Sequence, residues 1–359
     1  MLYQQKKGVF VANKPVIVVD YRELEGAGIT DAELKKYFPR YVLNPTTLYY
    51  GWLKRVGLLI IQWCLRMAVN LSLRPRNSAG SLNQSEIDEV YTKEARTYNR
   101  KHHITTHGMD LVWRRTAGWF ASAIGRNSRG RLKILDICTG TGLTVKEIYD
   151  ILQDWGIDAE IIGLDYNERM LAVARNGDIP KSNRIRFVHG DATKLAETFE
   201  PDSFDVVTQV FGIGGISQPL KVFDGVLRIL KSGGQFLMID MHKPIPEHPG
   251  EWPFLLKWYR FPVMEMVVYE DSTLPVVLNR LWGWRDTTLC FYLLPLITYR
   301  DGNGKYWGFK VETFEQESQR WWFALPLMPI ARIVVKKIEI SEDVAGKREA
   351  ILNACTASQ

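Results

Sequence analysis

From Arg131 onward the chain alternates short apolar runs with amphipathic stretches. LKILDIC, AEIIGLD, RIRFVHGD, SFDVVTQVF and GGQFLMIDM carry mostly consecutive apolar residues and predict strands. TVKEIYDILQDWG, NERMLAVARN and KVFDGVLRIL fall between them and predict helices. Strands apolar along their whole length are covered on both faces, which points to a parallel sheet with helices on either side. In such a doubly wound α/β domain a ligand sits at the carboxyl ends of the strands. Beyond Met241 the alternation stops, and seven of the twelve tryptophans lie past residue 250. Trp and Tyr pair a large apolar face with a polar edge, which suits a pocket wall, a bilayer interface or an ordinary core.

Ahead of the alternating region the pattern differs. PVIVVD, Pro15–Asp20, reads as a short strand, and TDAE places Thr30 as helix N-cap with Glu33 closing a capping box. Between Tyr41 and Ser85 there is no acidic residue, while Lys54, Arg55, Arg66, Arg74 and Arg76 surround the apolar run VGLLIIQWCLRMAVNLSL. Eighteen residues is near the lower limit for a bilayer span, and a central Arg66 costs about 2.5–3.5 kcal/mol on insertion. The run, about residues 50–73, therefore reads as an interfacial amphipathic helix contacting a membrane surface, or as a helix packed on the main domain. RPRNSAGSLNQS, Arg74–Ser85, is polar and reads as a linker. The predicted organisation is an extension over 1–85, a helical lid or substrate segment over 86–130 and a core over 131–244. A Trp/Pro-rich insertion over 245–310 and a closing helix and strand over 311–359 complete it.

Composition narrows the function classes. Nearly half of the 359 residues are hydrophobic and the net charge is +6, enough apolar content for a sizeable core. Cys64, Cys138, Cys290 and Cys355 are widely separated with no CxxC pair, which disfavours a zinc site and a disulfide framework. No cluster with metal-ligand spacing stands out, and no metal is expected. The N-terminus lacks an apolar signal core. With the basic helix, this places the chain in the cytoplasm, peripherally at the inner face of a membrane. Basic residues are not interleaved with aromatics as a nucleic-acid binder requires, so no nucleic-acid partner is expected.

The most informative stretch is ILDICTGTGLT, Ile134–Thr144. Gly140 and Gly142 are followed by Leu143, Thr144 and Val145, so the third glycine of a dinucleotide turn is missing, as is the lysine of a Walker loop. S-adenosylmethionine (SAM) has no phosphate and fits such a turn. Asp136 ends the first strand next to the turn, where its charge can act through a water or an amide on the ligand's ammonium group. Asp165 ends the second, where a carboxylate accepts from ribose hydroxyls. Asp191 follows the third, facing the adenine amino group, with Ala192 offering a backbone donor. Glycine is expected to be needed at Gly140 and Gly142, where backbone comes closest to the ligand. Cys138 reads as a small buried packing residue.

ILDICTGTG, GLDYNERMLAVA, FVHGDATKL, FDVVTQVFGI and VLRILKSGGQFLMIDMHKP resemble the successive motifs of class I SAM-dependent methyltransferases, and more closely the ubiquinone/menaquinone C-methyltransferase family. In ARTYNRKHHITTHGMDLVW, Tyr98, Gly108 and Trp113 match a family segment that precedes the first strand. The resemblance spans about Glu86 to Pro244 and loosely Glu312 to Ile340. It implies a Rossmann-like fold with a doubly wound, mostly parallel seven-stranded sheet. It implies SAM as cofactor, held by Tyr98, Asp136, Thr139, Gly140, Thr141, Gly142, Asp165, Tyr166, Asp191, Ala192 and Gln209. The chain departs from the family at Asn99 and His102, where Asp and Asn are usual, and at Phe211–Gly215, which lacks the family's Arg and Asn. These positions line the acceptor side.

Methylating a quinol ring carbon requires removal of a phenolic proton. His102, His103 and His107 cluster before the core, and His242 and Asp240 end the fifth strand. His102, His242 and Asp240 are the candidate bases, while His189 reads as structural. The implied acceptor is a lipophilic small molecule, first a prenylated quinone precursor. N-methylation of an aminolipid headgroup, methylation of a small aromatic compound and a non-catalytic SAM-binding membrane scaffold stay open, as does a homo-oligomer.

Overall fold

The expected alternation builds a single mixed sheet. A computed structural model describes residues 84–105, 109–128, 130–241, 290–317 and 330–357. The predicted elements at 1–83, including Thr30 and the helix at 50–73, lie outside the described residues, as do Gly108, His107 and His242. Three helices come first: α1 (Gln84–Glu94), α2 (Tyr98–Thr105) and α3 (Met109–Gly125). Then follow β1 (Leu132–Ile137), α4 (Leu143–Asp154), β2 (Ala159–Asp165), α5 (Glu168–Asn176) and β3 (Ile185–His189). A short α6 (Leu195–Thr198), β4 (Phe204–Val210), α7 (Pro219–Ile229) and β5 (Leu230–Met241) complete the parallel part. Every strand and helix expected between Arg131 and Met241 lies within three residues of its place in the sequence pattern.

The parallel strands pair in the order β3-β2-β1-β4-β5, with Leu135 beside Ile162 on β2 and Val207 on β4. Side chains alternate across the sheet because the strand period is two. Ile134, Ile161 and Val206 face α3 and α4, meeting Trp113, Ala117, Val145 and Ile148. Leu135, Ile162 and Val207 face the other layer, meeting Val222, Phe223 and Val226 of α7. Both layers are helical because their apolar residues recur at three- and four-residue spacing, as in Val145, Ile148, Ile151 and Leu152. Pro219 starts α7 where its missing N–H costs nothing. Truncating Phe223, which has no exposed surface, costs about 3–5 kcal/mol.

The sheet has eight strands where seven were expected. Past β5 the order continues β8-β7-β6, all antiparallel: β6 (Thr298–Arg300), β7 (Tyr306–Glu317) and β8 (Ile330–Ile340). The additional strand is β6, and its cause is the turn DGNG. Asp301 accepts from the main-chain N–H groups of Asn303 and Lys305 at 2.8 and 2.9 Å, and from Trp307 Nε1 at 2.8 Å. That carboxylate fixes the hairpin between β6 and β7. Residues 298–310 thus belong to the sheet, although their Trp and Tyr content suggests an insertion. The strand expected near Ile330–Ile340 is present, and a last helix, α8 (Glu342–Ala357), follows it.

Candidate functional site

The glycine turn leaves β1 at the carboxyl edge of the sheet. Cys138, Gly140 and Gly142 take φ of 55, 57 and 78°, a left-handed path that costs a non-glycine residue about 1–2 kcal/mol. The two glycines serve different ends. A methyl group on Gly140 meets only Met170 Cε at 3.4 Å, whereas one on Gly142 falls 2.4 Å from Ile179 Cδ1 and 3.0 Å from Ala174 Cβ. Gly142 is therefore required by the packing of α4 against its neighbours, while Gly140 lines the open cleft. Of the two glycines expected at the ligand, Gly140 is among the cleft-lining residues and Gly142 is not.

Asp136 is buried beneath this turn. Its carboxylate accepts from Thr139 Oγ1 and Thr208 Oγ1, each at 2.7 Å. Burial pushes its pKa up to about 6, with the two hydroxyls opposing the shift. Asp136 thus braces the turn against β4 and is not among the cleft-lining side chains, so its expected action on a ligand's ammonium group would run through a water or an amide. Asp165 does line the cleft. Its carboxylate accepts from Gly140 N at 2.7 Å and Asn167 N at 2.9 Å. Burial raises its pKa, and the two backbone N–H groups work the other way.

Asn167 begins α5 and brings α1 to the site. Its Oδ1 caps the helix by accepting from Met170 N at 2.8 Å. Its Nδ2 donates to Asp88 O at 3.0 Å, Asp88 Oδ1 at 2.7 Å and Thr92 Oγ1 at 2.8 Å. Gln84, Ile87, Asp88 and Tyr91 of α1 consequently form one wall of the cleft. Gln84 and Ser85, read from sequence as linker, are already helical. Opposite stand Asp191 and Ala192, with Asp191 Oδ1 accepting from Thr193 N and Oγ1 at 2.8 and 2.7 Å. Tyr166 is exposed at the rim, and its carbonyl is 2.8 Å from His189 Nε2. Tyr98, Cys138, Phe211 and Gly212 also line this open cleft. Cys138 is half-buried rather than buried. Burial and nearby carboxylates hold its thiol well above the ordinary range, so it stays protonated and a poor nucleophile.

Asp240 is a clamp. Its Oδ2 accepts from Gln209 Nε2 at 2.9 Å and from the main-chain N–H groups of Gly212 and Ile213 at 3.1 and 3.0 Å. Those bonds anchor the bend after β4 to the end of β5. Neither Asp240, expected as a base, nor Gln209, expected at the cofactor, is among the cleft-lining residues, and the two are bonded to each other. Thr141 is also turned inward, donating from Oγ1 to Asn99 Oδ1.

Over residues 79–272 the chain matches the ubiE/COQ5 methyltransferase family. The chain belongs to that family. It is 30% identical to demethylmenaquinone methyltransferase of Clavibacter sepedonicus over 57% of this chain and 79% of that one. It is also 30% identical to ubiquinone/menaquinone biosynthesis C-methyltransferase UbiE of Pseudomonas fluorescens, over 55% of this chain and 74% of that one. Among solved structures, Haemonchus contortus phosphoethanolamine N-methyltransferase 1, in complex with phosphoethanolamine and S-adenosylhomocysteine, is 18% identical. It covers 75% of this chain and 55% of that chain at a TM-score of 0.44, an overlap that says nothing of substrate. The chain is thus a SAM-dependent methyltransferase with SAM as its cofactor.

For a ubiE/COQ5 family member the cleft has the donor set the cofactor needs. Gly140 presents bare backbone, and Asp165 and Asp191 present carboxylates from successive strands. Six of the eleven expected cofactor residues line it: Tyr98, Gly140, Asp165, Tyr166, Asp191 and Ala192. Asp136, Thr139, Thr141, Gly142 and Gln209 instead support the turns behind it. The α1 wall falls within the helical lid or substrate segment expected over 86–130. Its signal was the run QSEIDEVY, where Ile87 and Tyr91 fall four residues apart with Asp88 beside them.

His102 is buried on α2, with Nδ1 3.7 Å from Asp110 Oδ2. Its ring lies 5.4 Å from that of Tyr98 and 5.6 Å from that of Phe211. Burial lowers its pKa, against the opposing pull of Asp110, so the ring is neutral at pH 7. His103 is exposed beside the same Asp110. Among the described residues no group of His, Cys, Asp and Glu is placed to hold a metal ion, and no helix is long and apolar enough to cross a membrane.

Proposed function

We propose that this methyltransferase transfers a methyl group to a ring carbon of a prenylated quinone precursor. The observation that carries this reading is the chemistry of the cleft wall. Tyr91, Tyr98, Phe211, Ile87 and Ile216 supply aromatic and apolar surface, and the described lining holds no Lys, Arg or His. A neutral aromatic ring suits such a wall, whereas a phosphate-bearing headgroup finds no counter-charge there. The printed names of the relatives, demethylmenaquinone methyltransferase and ubiquinone/menaquinone C-methyltransferase, point the same way.

In this reading Asp165 and Asp191 hold the ribose and adenine of SAM, and Gly140 lets its backbone approach. Bound SAM supplies an electrophilic methyl carbon on a positive sulfur. The chain's own work is to align the acceptor carbon with that methyl group and to take up the phenolic proton. His102 is the base we assign, because it is neutral, is flanked by Asp110 and packs on two rings that line the cleft. The ring-carbon proton leaves afterwards and aromaticity returns. We further propose that residues 50–73 contact a membrane surface, on the strength of their basic and apolar composition; flotation with anionic liposomes tests this, and loss of flotation on deleting residues 1–83 is the expected result.

The acceptor is tested with purified enzyme, methyl-labelled SAM and a total lipid extract of the source organism, resolved by mass spectrometry. Label on a quinone-type lipid is expected. Label on an aminolipid overturns the reading in favour of headgroup methylation. Label only on a water-soluble aromatic compound, or none despite S-adenosylhomocysteine binding, overturns it in favour of a small-molecule enzyme or a scaffold.

A further inference from the structure

Asn167 stands where three parts of the cleft meet. Its main-chain N–H holds the Asp165 carboxylate, its Oδ1 starts α5, and its Nδ2 reaches α1 at Asp88 O and Oδ1, seventy-nine positions earlier, and at Thr92 Oγ1, seventy-five earlier. The residue is buried, so these contacts are shielded from competing water. The α1 helix is short of apolar area. Its mean hydropathy is low, and its buried apolar residue Ile87 and the adjoining Ala95 lie at one face and one end. A helix of eleven residues with little apolar area is marginal on its own and takes its place from tertiary contacts.

We propose that Asn167 is a positioning residue for the cofactor, whose side-chain amide holds α1 as the fourth wall of the SAM cleft. Gln84, Ile87, Asp88 and Tyr91 reach the cleft through that amide, and Asp88 comes to stand beside Asp165. The inference rests on the cofactor occupying this cleft. It also explains why asparagine stands at this cap: Asp, Ser and Thr start helices as well, but Asp has no donor and a Ser or Thr hydroxyl has one, whereas the amide accepts from Met170 N and still has two N–H groups for α1.

Asn167→Asp separates the two roles, since aspartate keeps the cap while removing the donor and facing Asp88 with a like charge. Kd for S-adenosylhomocysteine is measured by titration calorimetry, so no acceptor is needed. Hydrogen exchange of residues 84–94 is followed on the same samples. In the wild-type background the substitution is expected to weaken binding about 10- to 100-fold, the loss of hydrogen bonds to a charged group, and to remove protection from α1. In an Asp88→Asn background the amide introduced on α1 donates to the carboxylate introduced at the cap. There the same substitution is expected to change Kd less than about 3-fold, as a coupled pair requires. Asn167→Ser, which caps without reaching α1, is expected to weaken binding without loss of α5. Wild-type affinity in Asn167→Asp, or an equal loss in both backgrounds, overturns the tether. Asp165→Ala keeps the two readings apart. Loss of binding there with none in Asn167→Asp sinks the tether alone, and no loss in either sinks the cofactor site as well.

Discussion

Asp240 and Gln209, on adjacent strands and both buried, are joined by a 2.9 Å hydrogen bond, and the same carboxylate oxygen holds the main chain of Gly212 and Ile213. Asp240→Asn removes the negative charge from this triple acceptor. Hydrogen bonds to a charged group are worth about 1.5–3 kcal/mol each, and the expected loss of unfolding free energy is about 2–4 kcal/mol by urea titration. A variant of wild-type stability that has lost turnover would restore Asp240 as a base.

The glycines of the first turn are expected to fail differently. Gly142→Ala combines a φ of 78° with overlap on Ile179 and Ala174, an expected cost of about 2–5 kcal/mol in stability. Gly140→Ala has no such overlap and should cost about 1–2 kcal/mol, yet it places a methyl group on the cleft wall and weakens S-adenosylhomocysteine binding. Thermal unfolding and calorimetry on the pair decide it; matching profiles for the two would contradict the division of labour.

Asp136 gives the fold a distinctive pH response. Its folded pKa of about 6 stands above the unfolded value near 3.9. Between those limits the native state keeps a proton that the unfolded chain has released, so this contribution is present at low pH and lost as pH rises through about 6. Asp136→Asn has no such titration. The stability of wild type minus that of the variant should therefore fall by about 2–3 kcal/mol from pH 4 to pH 7 and then level off. Urea unfolding at four pH values measures it, and a difference that is flat or rises with pH refutes the assignment.

His102 titrates below the ordinary histidine value because burial disfavours its charged form. If it is the base, kcat/KM declines on the acid side with a midpoint below 6.5, as the neutral ring is lost. His102→Phe preserves an aromatic packing partner for Tyr98 and Phe211. That variant is expected to lower the rate about 10²–10⁴-fold and to abolish the acid limb. An intact limb in the variant would leave His102 as packing alone.

The parallel half of the fold was legible because each strand is apolar on both sides and each helix carries one apolar stripe, as at Ile134, Leu135, Val145 and Ile148. Asp165, Asp191 and Gly140 were legible too, since their place follows from standing at strand ends. Asp136 and Gln209 occupy equivalent positions in sequence but point inward, and no spacing rule tells a carboxylate that faces a ligand from one that braces a turn. Residues 86–130 were legible as a helical lid or substrate segment, but the contact between α1 and Asn167 was not, since that amide meets Asp88 across seventy-nine residues with no periodicity to announce it. The hairpin at Asp301 was hidden by its brevity, because a three-residue strand cannot show alternation.

That brevity at β6 has a bearing on association. β6 pairs with Tyr306–Gly308 of β7 alone, so among the described residues Phe309–Glu317 borders the sheet beyond it, and the opposite border is the five residues of β3, where Arg186 lies 3.8 Å from Glu160. A short, charged border such as β3 offers another chain little to pair with. Among the described strands, the outer side of Phe309–Glu317 is therefore where a further strand could add, and the charges at Lys310, Glu312, Glu315 and Glu317 weigh against another copy doing so.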